Sequence, residues 1–248
     1  MPDPAPGTAP AAVPAGNGTA WWSEAWRLFT AAPWVWVGIT VLFCIIYVIL
    51  SILPLLGMVA PTVLSAVFAG GVFLGCREID RGGELAISHL FAGFSDRMGP
   101  LLIVGLLYLA GQCAIFAVVV CVLVASVGMS GIGMLFSGDL MQAGYSALAS
   151  LGLGALVAAL VGVLVAIPLI MAYWFAPALV ALRHDEPIAA MKASFQACLV
   201  NMLPMLVYSL VGVVFAVIAS IPLLLGWLVL GPVFATSVYA SYKDIFRA

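Results

Sequence analysis

The chain has 248 residues, 65% of them hydrophobic and only 7% charged, with eight basic and ten acidic side chains and a formal net charge of −2. Together with a mean hydropathy of +1.26, this excludes a soluble globular domain, where about a quarter of residues are charged to cover the water-facing surface. It also excludes nucleic-acid binding by bulk electrostatics, which needs clustered Lys and Arg against phosphate; the expected solvent is lipid.

Residues 1–20 hold five prolines, six alanines and three glycines, with no basic residue ahead of an apolar core. They are expected to form a disordered cytoplasmic tail, not a secretory signal. Residues 21–248 are expected to form an all-α, polytopic transmembrane bundle. A helix crosses about 30 Å of hydrocarbon with about 20 residues. Six segments qualify, about Trp34 to Leu53, Met58 to Cys76, Leu101 to Val127, Ala147 to Leu182, Leu203 to Ile221 and Leu223 to Tyr239. Pro54 marks the turn of a first hairpin, and Pro222 with Gly226 that of the last. The polar, Gly-rich segment 128–146 reads as an outer loop of the middle one. With six spans, all eight basic residues fall on one side, as Arg27; Arg77, Arg81 and Arg97; Arg183 and Lys192; Lys243 and Arg247. That satisfies the positive-inside rule with both termini in the cytoplasm, and splitting the long fourth run near Pro168 or Pro177 would break it.

The connections repeat. Phe91 is followed nine residues later by Pro100 and span three, Phe195 nine residues later by Pro204 and span five, and Trp26-Arg27-Leu28-Phe29 leads to Pro33 and span one. Phe68-Ala69, Phe175-Ala176 and Phe234-Ala235 mark the second arms, each followed by a basic residue. The unit is a short amphipathic interfacial helix followed by a membrane hairpin, used three times, at about 21–82, 83–183 and 184–248. In residues 187–202, Asp185 is placed to cap a helix, Pro187 to occupy its first turn, and Ile188, Met191, Phe195, Leu199 and Met202 to share one face. Residues 84–94 do the same less cleanly. Such helices either lie in the headgroup plane or cap the bundle; amphipathicity does not separate the two. Trp21, Trp22, Trp26, Trp34 and Trp36 read as an aromatic belt.

Chemistry is harder to find. No charge lies inside a span, where it would point to a proton relay or ion path. The five cysteines, 44, 76, 113, 121 and 198, form no metal spacing and read as small hydrophobes. Met129, Met134 and Met141 near Asp139 bring no His or Cys with them, too few soft ligands for copper; neither metal nor cofactor is expected. Gly71 with Gly75, and Gly154, Ala158 and Gly162, are small residues at four-residue spacing and read as helix-packing faces. Arg81, His89, Arg97, Arg183, His184 and Lys192 are candidates for a cytoplasmic rim that binds lipid headgroups or other anions, although topology alone also calls for cations there. Without a base, nucleophile and ligand set, a catalytic role is not expected; Glu84, His89 and His184 clustered together would change that.

These landmarks carry a resemblance. Trp26-Arg27-Leu28-Phe29 with Pro33, Leu90-Phe91-Ala92-Gly93-Phe94, Phe175-Ala176-Pro177-Ala178-Leu179, Ala190-Met191-Lys192-Ala193-Ser194-Phe195 with Asn201, and Gly231-Pro232-Val233 with residues 239–246 follow one another in an order that resembles an uncharacterised family of proteobacterial six-span inner-membrane proteins. More remotely, the layout is similar to the membrane domain attached to some bacterial glycerophosphodiester phosphodiesterases, without the hydrolase. The resemblance implies fold and compartment and supplies no functional residues. The expected role is an accessory, scaffold or envelope lipid-homeostasis component of the bacterial inner membrane, with lipids and another membrane protein as partners. The alternative is a permease for a small apolar or lipidic substrate, with a cavity lined by Thr40, Gln112 and backbone near Pro168.

Overall fold

Lipid offers backbone N–H and C=O groups no partner, so an apolar chain satisfies them within helices. The computed structural model describes residues 9–52, 56–95, 97–137 and 140–247, which are helical almost throughout and contain no strand. The elements are α1 (Asn17–Ala31), α2 (Pro33–Ile52), α3 (Leu56–Asp80), a 3₁₀ helix η1 (Ile87–Phe94), α4 (Met98–Ser137), α5 (Leu140–Trp174), α6 (Ala176–Arg183), α7 (Pro187–Val200), α8 (Met202–Ser220) and α9 (Trp227–Phe246). Among the described residues, five helices are long and apolar enough to cross a membrane: Pro33–Ile52, Val59–Asp80, Met98–Ser126, Gly152–Arg183 and Met202–Ser220. α9 is the less apolar sixth, with Lys243 and Asp244 in its last turns.

Two expected boundaries move. Within the segment 128–146, residues 128–137 and 140–146 are helical, α4 running to Ser137 and α5 beginning at Leu140. The methionines expected there, Met129, Met134 and Met141 with Asp139, have side chains outside the described residues. The sixth helix begins at Trp227, not Leu223. Leu223 and Leu224 are left-handed, with φ of 50° and 66°, and such residues cannot continue a right-handed helix.

The chain divides into two compact units, one of residues up to Tyr108 together with those from Met171 onward, the other Leu109–Ile170. In the second, Gly154 lies against Ser126 and Gly162 within reach of Val119, with Ala158 buried between them. The expected stripe on α5 is therefore the face that meets α4.

In the first unit each short helix packs on a hairpin that is not its own. η1 lies on α2 and α3, α7 on α6, and α1 on α8 and α9. A Cβ at Gly71 would stand 2.5 Å from the His89 carbonyl oxygen and 2.6 Å from that of Leu90, and one at Gly75 2.8 Å from Leu85. The expected GxxxG face is thus the seat of η1. Gly18 on α1 takes the same part against Pro204 and Tyr208 of α8. Trp22 covers Gly212, stacks on Tyr208 at 4.9 Å and donates its indole N–H to the Tyr208 carbonyl at 3.1 Å.

Where α5 gives way to α6, the Phe175 amide does not reach the Met171 carbonyl. Instead it donates to Ser194 Oγ at 2.9 Å, and that hydroxyl donates to Met171 O at 2.6 Å. A side chain from α7 is thus inserted into the helical ladder, a recognised cause of a break. Pro168 lies within α5 without ending it, and Pro177 occupies the first turn of α6. Asp185, expected as the cap of α7, instead pairs with Arg183 at 3.3 Å; Glu186 holds the cap position with no side-chain bond.

The disorder expected for residues 1–20 does not hold for residues 9–20, and residues 1–8 lie outside the described residues. The Ala11 amide donates to the Ile245 carbonyl at 2.8 Å. The Asn201 side chain, fully buried, accepts from the Val13 amide at 2.9 Å and donates to Ala11 O at 3.0 Å. A Pro/Ala-rich strip has no side chains for a core, but its backbone pairs with a buried amide as it would with a strand.

Candidate functional site

The six rim residues are not gathered into one basic surface. Arg183 is 3% exposed, paired with Asp185 and set over the Phe246 ring at 5.3 Å. His89 is held within η1, its Nδ1 accepting from the Ala86 amide at 2.9 Å. Arg97 is half-buried, with no hydrogen-bond partner for its buried Nε among the described residues. Arg81, His184 and Lys192 are exposed. Glu84 is exposed as well. Among the described residues, no three His, Cys, Asp or Glu side chains come together as a metal site.

A different charged cluster forms between α1, α3 and α9. Arg27 bonds Glu24 at 2.7 Å and Asp80 at 2.7 Å, Lys243 bonds Asp80 at 2.5 Å, and Lys243 stands 3.7 Å from Glu24. Next to it, Asp244 accepts from Asn17 at 2.7 Å and from the Trp21 indole at 2.8 Å. The Arg27 hydrogen bond holds the Glu24 carboxyl below its ordinary value of 4.5 against the opposing effect of partial burial. Each charge in the cluster has a partner of opposite sign, which makes it a clasp between elements; it offers no free cation to an anionic ligand.

An apolar cleft of about 380 Å³ lies between α2, α3 and α9, within the ~300–1,000 Å³ range of small-molecule sites. Its walls are aromatic and aliphatic, with Trp36 and Phe43 from α2, Phe68 and Val72 from α3, and Trp227 from α9. Gly231 and Pro232 leave room on the α9 side, since a Cβ at Gly231 would meet only Thr40, at 3.6 Å. Pro232 also lacks the N–H that a helix interior normally supplies.

The few polar groups in the cleft are satisfied from within. Thr40 donates to the Trp36 carbonyl at 3.0 Å, Ser65 donates to Thr62 O at 2.7 Å and stands 2.7 Å from the Tyr173 hydroxyl, and Trp227 donates to Ser220 at 3.1 Å. Water needs two to four polar partners to reside in a cavity, and these walls offer few. Wall atoms left without neighbours lose dispersion contacts, which a hydrocarbon occupant restores.

Comparison with known proteins agrees on the solvent. The chain is similar to a probable inner membrane protein of Burkholderia thailandensis, with 28% identity over 205 residues that cover 80% of this chain and 73% of that one. No family model matches the chain. No solved structure matches it. With its apolar helices, the chain is an integral membrane protein.

None of the six rim residues lines the cleft, whereas Thr40, expected around a permease path, does. The cleft itself escaped sequence reasoning because its walls come from segments about 30 and 160 residues apart. The signals were present in Phe68-Ala69 and Ala235, which read as landmarks of the repeat, and in Gly231-Pro232, which read as part of the family resemblance. The five tryptophans also divide. Trp26 and Trp34 are exposed, as a belt requires, whereas Trp21, Trp22 and Trp36 are core residues.

Proposed function

We propose that the chain is a non-catalytic, multi-pass component of a bacterial inner membrane that holds a membrane lipid, acting in envelope lipid homeostasis. The observation that carries this reading is the aromatic-walled cleft between α2, α3 and α9, whose polar groups are already bonded and whose volume suits hydrocarbon. The compartment follows from the probable inner membrane protein to which the chain is similar. We place both termini in the cytoplasm. Supporting that are the eight basic residues on one side of the six-span arrangement and the bonds that tie residues 11–21 to Asp244 and Ile245.

Native mass spectrometry of the protein released gently from its own membrane tests the reading. Lipid retained at fixed stoichiometry is the expected result. A protein partner at fixed ratio with no lipid would replace the proposal with a scaffold role, and a bare chain would leave it without its ligand. The permease reading gains Thr40 in the cleft wall.

A further inference from the structure

Three features of the cleft, taken together, say which part of a lipid it recognises. The first is length. The lining runs from Trp36 to Cys44 on α2, from Ser65 to Phe73 on α3 and from Trp227 to Ala235 on α9. Each wall therefore runs over nine residues, eight helical rises or about 12 Å, against about 15 Å for one leaflet of a 30 Å hydrocarbon core. Trp227 lines the slot at the end where α9 begins, and Trp36, Phe73 and Leu90 line it at the other. The second is the absence of spare polar groups, since the Thr40, Ser65 and Trp227 donors are used inside the protein. The third is the position of the cations. Arg183 is committed to Asp185, Lys243 to Asp80, and neither lines the cleft.

We infer that the cleft selects lipid by the length of a single acyl chain and is indifferent to the headgroup. This rests on the lipid-binding reading above and narrows it. Bilayer and cleft are both apolar, so transfer between them has little hydrophobic drive. What discriminates is packing. A chain too short leaves wall atoms without contacts, and a chain too long is turned back at the aromatic end. Headgroup chemistry has no donor, acceptor or charge within the slot to read.

The experiment uses the full chain in vesicles of phosphatidylcholine or phosphatidylglycerol, each doped with lipids carrying brominated acyl chains of three lengths. Tryptophan quenching is the readout, because Trp36 and Trp227 line the slot. The expected result is a saturable component whose midpoint is several-fold lower for one chain length and equal for the two headgroups within about twofold. Gly231→Leu, whose first side-chain carbon meets only Thr40, fills the slot and abolishes that component; should it fail to fold, Thr40→Leu narrows the slot from the opposite wall. A midpoint that follows the headgroup at constant chain, or one insensitive to chain length, overturns the inference and leaves lipid binding standing. A saturable component that survives both variants also overturns it. No saturable component in the wild-type protein removes the lipid-binding reading as well.

Discussion

Gly71 has no room for a methyl group. Its missing Cβ is what lets the His89 and Leu90 carbonyls rest on α3, and Gly71→Ala is expected to lower stability by about 1–3 kcal/mol, as over-packing does at well-packed contacts. Thermal unfolding in detergent, with Gly99→Ala as the control because nothing lies within 4 Å of it, measures the difference; equal midpoints would contradict the close approach. Ser194→Val is expected to lose about 1–3 kcal/mol, since it removes a buried hydroxyl bonded to both the Phe175 amide and the Met171 carbonyl. The sequence made the small residues legible as contact points and left their partners open. Four-residue spacing describes one helix face only, and a short 3₁₀ helix can use that face as readily as a second span. Ser194 was visible only as one letter of the segment that carries the family resemblance, because insertion into another helix's ladder has no local pattern.

At the level of elements, α1 and the strip before it are held by groups that no periodicity announces. Asn201→Leu removes the acceptor of the Val13 amide and is expected to speed hydrogen exchange there roughly tenfold, the equivalent of one buried hydrogen bond. Unchanged exchange would mean the strip is fixed elsewhere. The clasp of Glu24, Arg27, Asp80 and Lys243 makes α1 sensitive to acid. Because the folded-state Glu24 carboxyl is depressed from 4.5, its contribution is complete above that value and is lost as pH falls through the lower, folded value. The thermal midpoint is expected to drop on acidification below about pH 4.5, and Glu24→Gln to start lower and fall less steeply. The amphipathic reading of α7 was right about the helix and incomplete about its faces. Ala190, Ser194, Ala197 and Cys198 pack inward, while Ile188 and Leu199 stay exposed. Small residues dock the helix and large ones meet the surroundings, so in a membrane the larger apolar face is the one turned to lipid.

For the whole molecule, the membrane class and the helix order were legible because hydropathy and proline punctuation are local quantities. The cleft and the clasp were not, because each is assembled from α3, α9 and a segment near the N-terminus. The charged rim failed for a related reason. Sequence places cations on one side of a membrane without saying which acids they will meet, and Arg183 and Lys243 meet theirs in the fold. A cysteine placed at Gly16, where nothing lies within 4 Å, is expected to react with a membrane-impermeant maleimide in inverted vesicles and not in intact cells. Labelling in intact cells would reverse the proposed orientation.

The docking of α1 on the last hairpin has a consequence for how the protein is made. Asn17 and Trp21 bond Asp244, a sequence separation of more than 220 residues. At about 5–20 residues per second, the first helix waits roughly 10–40 s after synthesis before its binding groove exists. During that interval Trp21 and Trp22 stand without their cover, and a chaperone or the lipid surface must occupy them. Ribosomes stalled before Trp227 would hold α1 in that state, which protease sensitivity at residues 9–31 would report.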